Sequence, residues 1–146
     1  MRRLLSFSLG ANLLFWALLV HSSALAQDRS TELYKHGMEM AKQGNYREAL
    51  DALKEVERQA PELPGLHYNM GNVLWKMGEH WEAVQAYRKA VQLDPRDADA
   101  YYNLAMGYMA LDEMGKAMEA MEQVTRIRPE DGEAHYRLAR GYYVRE

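Results

Sequence analysis

The sequence predicts an all-α fold built from a repeated pair of helices, on three observations. Proline recurs at Pro61, Pro95 and Pro129, a spacing of 34 residues held over two intervals. Other columns keep step with it: Gly37, Gly71, Ala105 and Ala139 share one register, Ala49, Ala83 and Ala117 a second, and Leu53, Tyr87 and Met121 a third. A fixed period of this length marks a stack of supersecondary units, each leaving an apolar face for its neighbour to cover. Finally, Ala, Leu, Glu, Met, Lys, Arg and Gln are abundant while Val, Ile, Thr and Phe are scarce, and unbranched side chains lose little rotamer freedom in a helix.

Taken in order, the periodicity and punctuation place helices at 30–43, 46–59, 64–77, 80–93, 98–111, 114–127 and 132–144. Gly44 and Gly78 form a further column at the turn inside each pair, broken by Asp112 in the third. Small residues at Gly37, Gly71, Ala105 and Ala139 belong where the first helix of a pair presses on the second, and Ala49, Ala83 and Ala117 answer them. Met70, Leu74, Tyr87, Leu104, Tyr108 and Met121 recur at three- and four-residue intervals and fill the space between helices. Each second helix stops just before Pro61, Pro95 or Pro129, which cannot continue it. Asp97 and Asp131 are set to cap the helices that follow, and Pro64 suits a first helical turn. Leu138, Ala139 and Tyr142 on the seventh helix are expected to cover the end of the third pair.

Residues 1–26 read as an export signal, outside the fold. Arg2 and Arg3 precede an uncharged apolar run from Leu4 to Val20, and Ala24-Leu25-Ala26 supplies the small residues that a signal peptidase requires. Cleavage near Ala26 leaves a short flexible stretch at 27–29 and a single domain at 30–146, periplasmic or secreted. The alternative is retention, with residues 4–20 as an anchor. Losing Arg2 and Arg3 reduces 18 basic residues to 16 against 21 acidic ones, a mature net charge near −5. That balance opposes nucleic acid and anionic lipid as ligands. There is no cysteine, so disulfides and thiolate metal sites are excluded.

In its proline, small and aromatic columns the chain resembles the tetratricopeptide repeat family, most closely in the stretch HYNMGNVLWKMGEHWEAVQAYRKAVQLDP. The resemblance implies a right-handed α-α solenoid of three helix-turn-helix units, about 30–63, 64–97 and 98–131, with a partial unit at 132–146. It also implies a concave groove lined by the first helices. The groove set is then Tyr34, Met38 and Lys42; Tyr68, Asn72, Trp75 and Lys76; Tyr102, Met106 and Met109; and Tyr136, Arg140 and Tyr143. Tyrosine and tryptophan bury large areas at small entropic cost, and methionine adapts to irregular shapes, so such a face suits a peptide. Tyrosine and asparagine at these columns are also framework across the family, Asn69 and Asn103 included. Trp75, Met106, Met109 and Tyr143 are less dictated by the repeat and carry more partner-specific information. Chaperone-binding members grip two carboxylates with lysine, asparagine and arginine; here Tyr34 and Tyr68 occupy lysine positions, and Asp99 and Glu133 place negative charge at the groove's edge, which disfavours a carboxylate-rich peptide.

Catalytic chemistry finds no foothold in these residues. His36, His67, His80 and His135 are scattered, and the placement of His67 and His135 two periods apart in one column points to packing. Glycine-rich phosphate loops and serine nucleophile motifs are absent from the sequence. The expectation is therefore a non-enzymatic adaptor without cofactor, metal or small-molecule substrate, whose groove holds a protein or peptide partner. The rival is a self-associating envelope subunit, stacking its uncapped first unit and incomplete last unit against another copy.

Overall fold

The computed structural model describes residues 28–145. The expected signal and anchor, residues 1–26, lie outside them. Seven helices run through the described residues, α1 (28–42), α2 (Tyr46–Gln59), α3 (Leu66–Lys76), α4 (His80–Leu93), α5 (Ala98–Ala110), α6 (Met114–Ile127) and α7 (Gly132–Arg145). Chain neighbours pack on one another throughout, α2 on α3, α3 on α4, α4 on α5, α5 on α6 and α6 on α7. The result is an all-α solenoid of stacked helix pairs.

The turn inside each pair is the same object three times. Asn45 N–H donates to Met40 O at 2.9 Å, Glu79 N–H to Leu74 O at 3.0 Å and Glu113 N–H to Tyr108 O at 2.8 Å, each closing the last turn of a first helix. That closure needs a left-handed residue, supplied by Gly44 at φ 83°, Gly78 at φ 82° and Asp112 at φ 59°. Asp112 thus interrupts the glycine column without changing the conformation. Aspartate is one of the few residues that visits this region.

Between pairs, the turns differ by one capping residue. Asp97 Oδ1 accepts from Ala100 N–H at 2.9 Å and Asp131 Oδ1 from Ala134 N–H at 3.0 Å, so α5 and α7 start at the next residue. The same column in the second unit is Leu63, which has no oxygen to offer. The chain there turns through Pro64 and a left-handed Gly65 at φ 76°, and α3 begins only at Leu66. Pro64 therefore lies in the turn, not in the first helical turn expected for it. At the other end of the chain α1 is already helical at Asp28, so 28 and 29 extend the first helix where a flexible lead was expected.

The core runs along the stack, through Leu53, Val56, Leu66, Val73, Val84, Tyr87, Leu104, Met121 and Val124. Small columns set the helix separations. A Cβ on Gly37 would meet Ala52 at 3.2 Å and the Ala49 carbonyl at 3.3 Å, and one on Gly71 would lie 2.5 Å from the Tyr87 ring. Ala49, Ala83 and Ala105 are wholly buried and Ala117 nearly so. Ala139 departs from the pattern: it is exposed, because α7 has no second helix of its own among the described residues to press against. Tyr142 is likewise largely exposed, its hydroxyl bonded to Glu122, and Leu138 and Ala134 make the inward contacts of α7.

Candidate functional site

The face built by α1, α3 and α5 carries Tyr34, Met38, Tyr68, Asn72, Trp75, Tyr102, Met106 and Met109 in a half-buried state, with Lys42 and Lys76 exposed beside them. Half-burial follows from geometry, since these side chains lie at the edge of the core with one flank toward the neighbouring first helix and the other toward solvent.

A polar ladder joins successive first helices along this face. Asn69 Nδ2 donates to Tyr34 Oη at 2.5 Å, and one period later Asn103 Nδ2 donates to Tyr68 Oη at 3.4 Å and to Asn72 Oδ1 at 3.1 Å. Asn72 Oδ1 also accepts from Tyr87 Oη at 2.8 Å, which ties the ladder to α4. Burial raises the Tyr87 phenol well above the ordinary tyrosine range, with the neighbouring Tyr68 adding to the effect. The hydroxyl therefore remains a donor. Tyr34, Tyr68 and Asn72 consequently serve the framework with their polar ends and leave ring and amide flanks to the face.

The ladder changes chemistry at its third step. The column of Asn69 and Asn103 arrives at Arg137, whose guanidinium lies 5.7 Å from the centre of the Tyr102 ring, donates to Met106 Sδ at 3.8 Å and pairs with Glu133 at 2.7 Å. Sequence periodicity alone contains this substitution, but asparagine and arginine share no obvious pattern until the Tyr102 contact is seen. Beyond it, Tyr136, Arg140 and Tyr143 are exposed, Tyr136 at 60% and Tyr143 at 82%, with no further first helix beside α7 among the described residues. They extend the face without sharing its half-buried environment.

Two expected charges are neutralised where they stand. Asp99 receives a bidentate pair from Arg128, at 2.7 and 3.0 Å, and the guanidinium holds its carboxyl below the ordinary carboxylate range. Glu133 is engaged by Arg137. Neither is a free negative charge at the groove's edge, so the case against a carboxylate-rich peptide rests on Tyr34 and Tyr68 alone.

Trp75 packs against His80 with ring centres 4.4 Å apart and planes tilted by 50°, so it is partly a packing residue. One unit later the same two columns are Met109 and Met114, and a cavity of about 280 Å³ opens there between α5, α6 and α7. Met118, Met121, Leu138 and Gly141 form its apolar wall, and Arg137 and Arg140 also line it. A second hollow, about 380 Å³, lies over the turn at Leu63, Pro64 and Gly65, but its Asp94 and Asp97 carboxylates are occupied by backbone N–H groups.

His67 and His135 hold turns. The buried His67 places Nε2 2.8 Å from Pro61 O, and His135 places Nε2 2.9 Å from Pro129 O, clasping each proline turn to the next helix. Among the described residues no group of three or more histidines or carboxylates is arranged to hold a metal ion. Trp81, at 59% exposure on α4, belongs to no part of the first-helix face and was not singled out by the repeat pattern. Its only signal is a large aromatic at a solvent-facing helical position.

Three family models match overlapping stretches of this architecture: a TPR repeat at residues 37–78, and tetratricopeptide repeats at 65–97 and 86–123. The chain is a member of the tetratricopeptide repeat family. No curated protein matches it. Among solved structures it is similar to MamA 41-end from Desulfovibrio magneticus RS-1, at 28% identity over 80% of this chain and 66% of that one, with a TM-score of 0.72. It thus spans about two thirds of that structure's length. The first TPR of Spaghetti (RPAP3) bound to an HSP90 peptide, SRMEEVD, shares the fold at 24% identity and a TM-score of 0.72, covering 79% of this chain and 91% of that one. The first TPR domain of human RPAP3 also has the same fold, at 24% identity over 78% and 90% of the two chains and a TM-score of 0.68.

Proposed function

We propose that this protein is an exported adaptor that holds a segment of a partner polypeptide along its first-helix face and performs no catalysis of its own. The observation that carries the reading is the row of half-buried tyrosine, methionine and tryptophan flanks on α1, α3 and α5. The hydroxyls of Tyr34 and Tyr68 and the amide oxygen of Asn72 are already committed to the ladder, so these flanks present area at a reduced ordering cost. The fold of the RPAP3 domain, solved with a peptide, supports a protein partner. Export rests on the pattern of residues 1–26, with retention through residues 4–20 as the alternative. Sequencing the mature N-terminus separates the two: a start near Gln27 is expected, and an intact Met1 end would mean an anchored domain.

The capture test is crosslinking in the cell envelope with Trp75→Ala combined with Tyr102→Ala. Loss of specific crosslinks while helicity is retained is the expected result, and unchanged capture of every partner would refute the groove. A second reading, self-association, is favoured by one observation: α7 exposes Tyr136, Ala139 and Tyr143. A mass by sedimentation that stays monomeric at every concentration would remove it.

A further inference from the structure

We propose that the cavity between α5, α6 and α7 is a side-chain pocket at the end of the groove, taking one large apolar residue of the partner whose neighbouring carboxylate is met by Arg140. This rests on the groove reading and names the partner's chemistry.

The cavity has a cause visible by comparing two units. Each of its lining positions has a counterpart 34 residues earlier. There, Trp75 and His80 pack with ring centres 4.4 Å apart and Tyr87 is buried, whereas here the three columns are Met109, Met114 and Met121. Glycine faces the neighbouring second helix in both units. A Cβ on Gly107 would lie 2.5 Å from the Val84 side chain, and one on Gly141 would lie 3.1 Å from the Met118 side chain. Two large rings, Trp75 and Tyr87, give way to the slimmer Met109 and Met121, and the hollow lies among these two methionines, Met114 and Met118.

Its size and chemistry select the occupant. At about 280 Å³ it falls just under the range of small-molecule sites, roughly 300–1,000 Å³, and suits a single large side chain. Methionine walls adjust to an aromatic or long aliphatic shape and favour contact with a ring edge. The charge is one-sided. Arg137 is held by Glu133 and Tyr102, whereas Arg140 is exposed and has no carboxylate partner among the described residues. A solvent-exposed guanidinium without a carboxylate partner, set beside an apolar hollow, is complementary to an apolar residue followed by an acidic one. Met109 and Arg140 belong to the groove columns, so a peptide lying in the groove reaches the hollow without leaving it.

The probe is the blocked hexapeptide Gly-Ser-Phe-Glu-Ser-Gly, with Phe-Gln and Ala-Glu versions, titrated into protein with isotope-labelled methionine methyls. The Phe-Glu peptide is expected to shift the methyls of Met109, Met114, Met118 and Met121, the Ala-Glu peptide to leave them in place, and the Phe-Gln peptide to bind about fivefold more weakly. Arg140→Gln, an exposed change that spares the fold, is expected to make Phe-Glu and Phe-Gln equal. Met109→Trp, which restores the ring of the preceding unit, is expected to abolish the shifts. Equal binding of Phe-Glu and Phe-Gln to the unaltered protein would overturn the proposal, as would shifts confined to Met38 and Met40, or no shifts at all. Concentration-dependent association of the protein itself, lost in Met109→Trp, would overturn it in favour of a second copy. Crosslinking that still depends on Trp75 and Tyr102 would, in any of these cases, leave the groove standing without this pocket.

Discussion

A Cβ on Gly71 would stand 2.5 Å from the Tyr87 ring, a separation that real side chains do not tolerate. Gly71→Leu should therefore cost about 1–3 kcal/mol or more through overpacking. Glu79→Gln, at an exposed position whose side chain makes no capping bond, should be nearly silent in the same urea titration. Asp112 holds a left-handed conformation that its counterparts Gly44 and Gly78 hold without a Cβ. Asp112→Gly is thus expected to raise stability by about 0.5–1 kcal/mol, read as a higher denaturant midpoint. Tyr87 contributes a pH dependence whose sign follows from its raised phenol value. The unfolded chain ionises first, so stability is intact below the ordinary tyrosine value, near 10, and falls as the pH rises above it. Tyr87→Phe should flatten that alkaline fall in a melting series, at the expense of the bond to Asn72.

Helix by helix, the caps explain which boundaries the sequence revealed. Helices α2, α4 and α6 fall on their expected residues because a fixed-length turn before them and a proline after them leave no freedom. Helices α5 and α7 begin where an aspartate can accept a backbone N–H. Helix α3 begins late, because Leu63 replaces that aspartate and Gly65 turns left-handed, a feature that pattern reading of Pro64 as a helix start could not supply. Asp97→Ala is accordingly expected to cost about 1 kcal/mol and to fray the start of α5, visible as faster amide exchange at Ala100. The candidate site was legible to a different degree. Column arithmetic groups residues that the structure carries half-buried on α1, α3 and α5, since position in a repeat fixes direction. It could not tell which polar ends were already bonded: Asn69 and Asn103 bind tyrosines of the preceding unit, and Asp99 is claimed by Arg128, all from segments 29 to 35 residues away. Nor could it see a cavity, which arises from how three helices pack and is not a property of any one residue.

For the molecule as a whole, stability is a sum over neighbours, so its ends should open before its middle. Buried residues are dense in α3, α4 and α5, while α7 rests on Ala134 and Leu138 and leaves its outer side bare. Hydrogen exchange is expected to show protection falling from α3–α5 toward α7, and uniform protection would mean a single cooperative block. The tyrosine–asparagine ladder bears on a different property, how the chain can change in length. Each rung joins a residue to one 35 positions later, which is one period plus one step. A duplicated segment 64–97 would therefore bring a new Asn69 that reaches the original Tyr68 and a new Tyr68 that Asn103 reaches, by the same rule. The molecule carries in its bonding the grammar for its own lengthening, so that a longer groove needs no new kind of contact, only another copy of one already present.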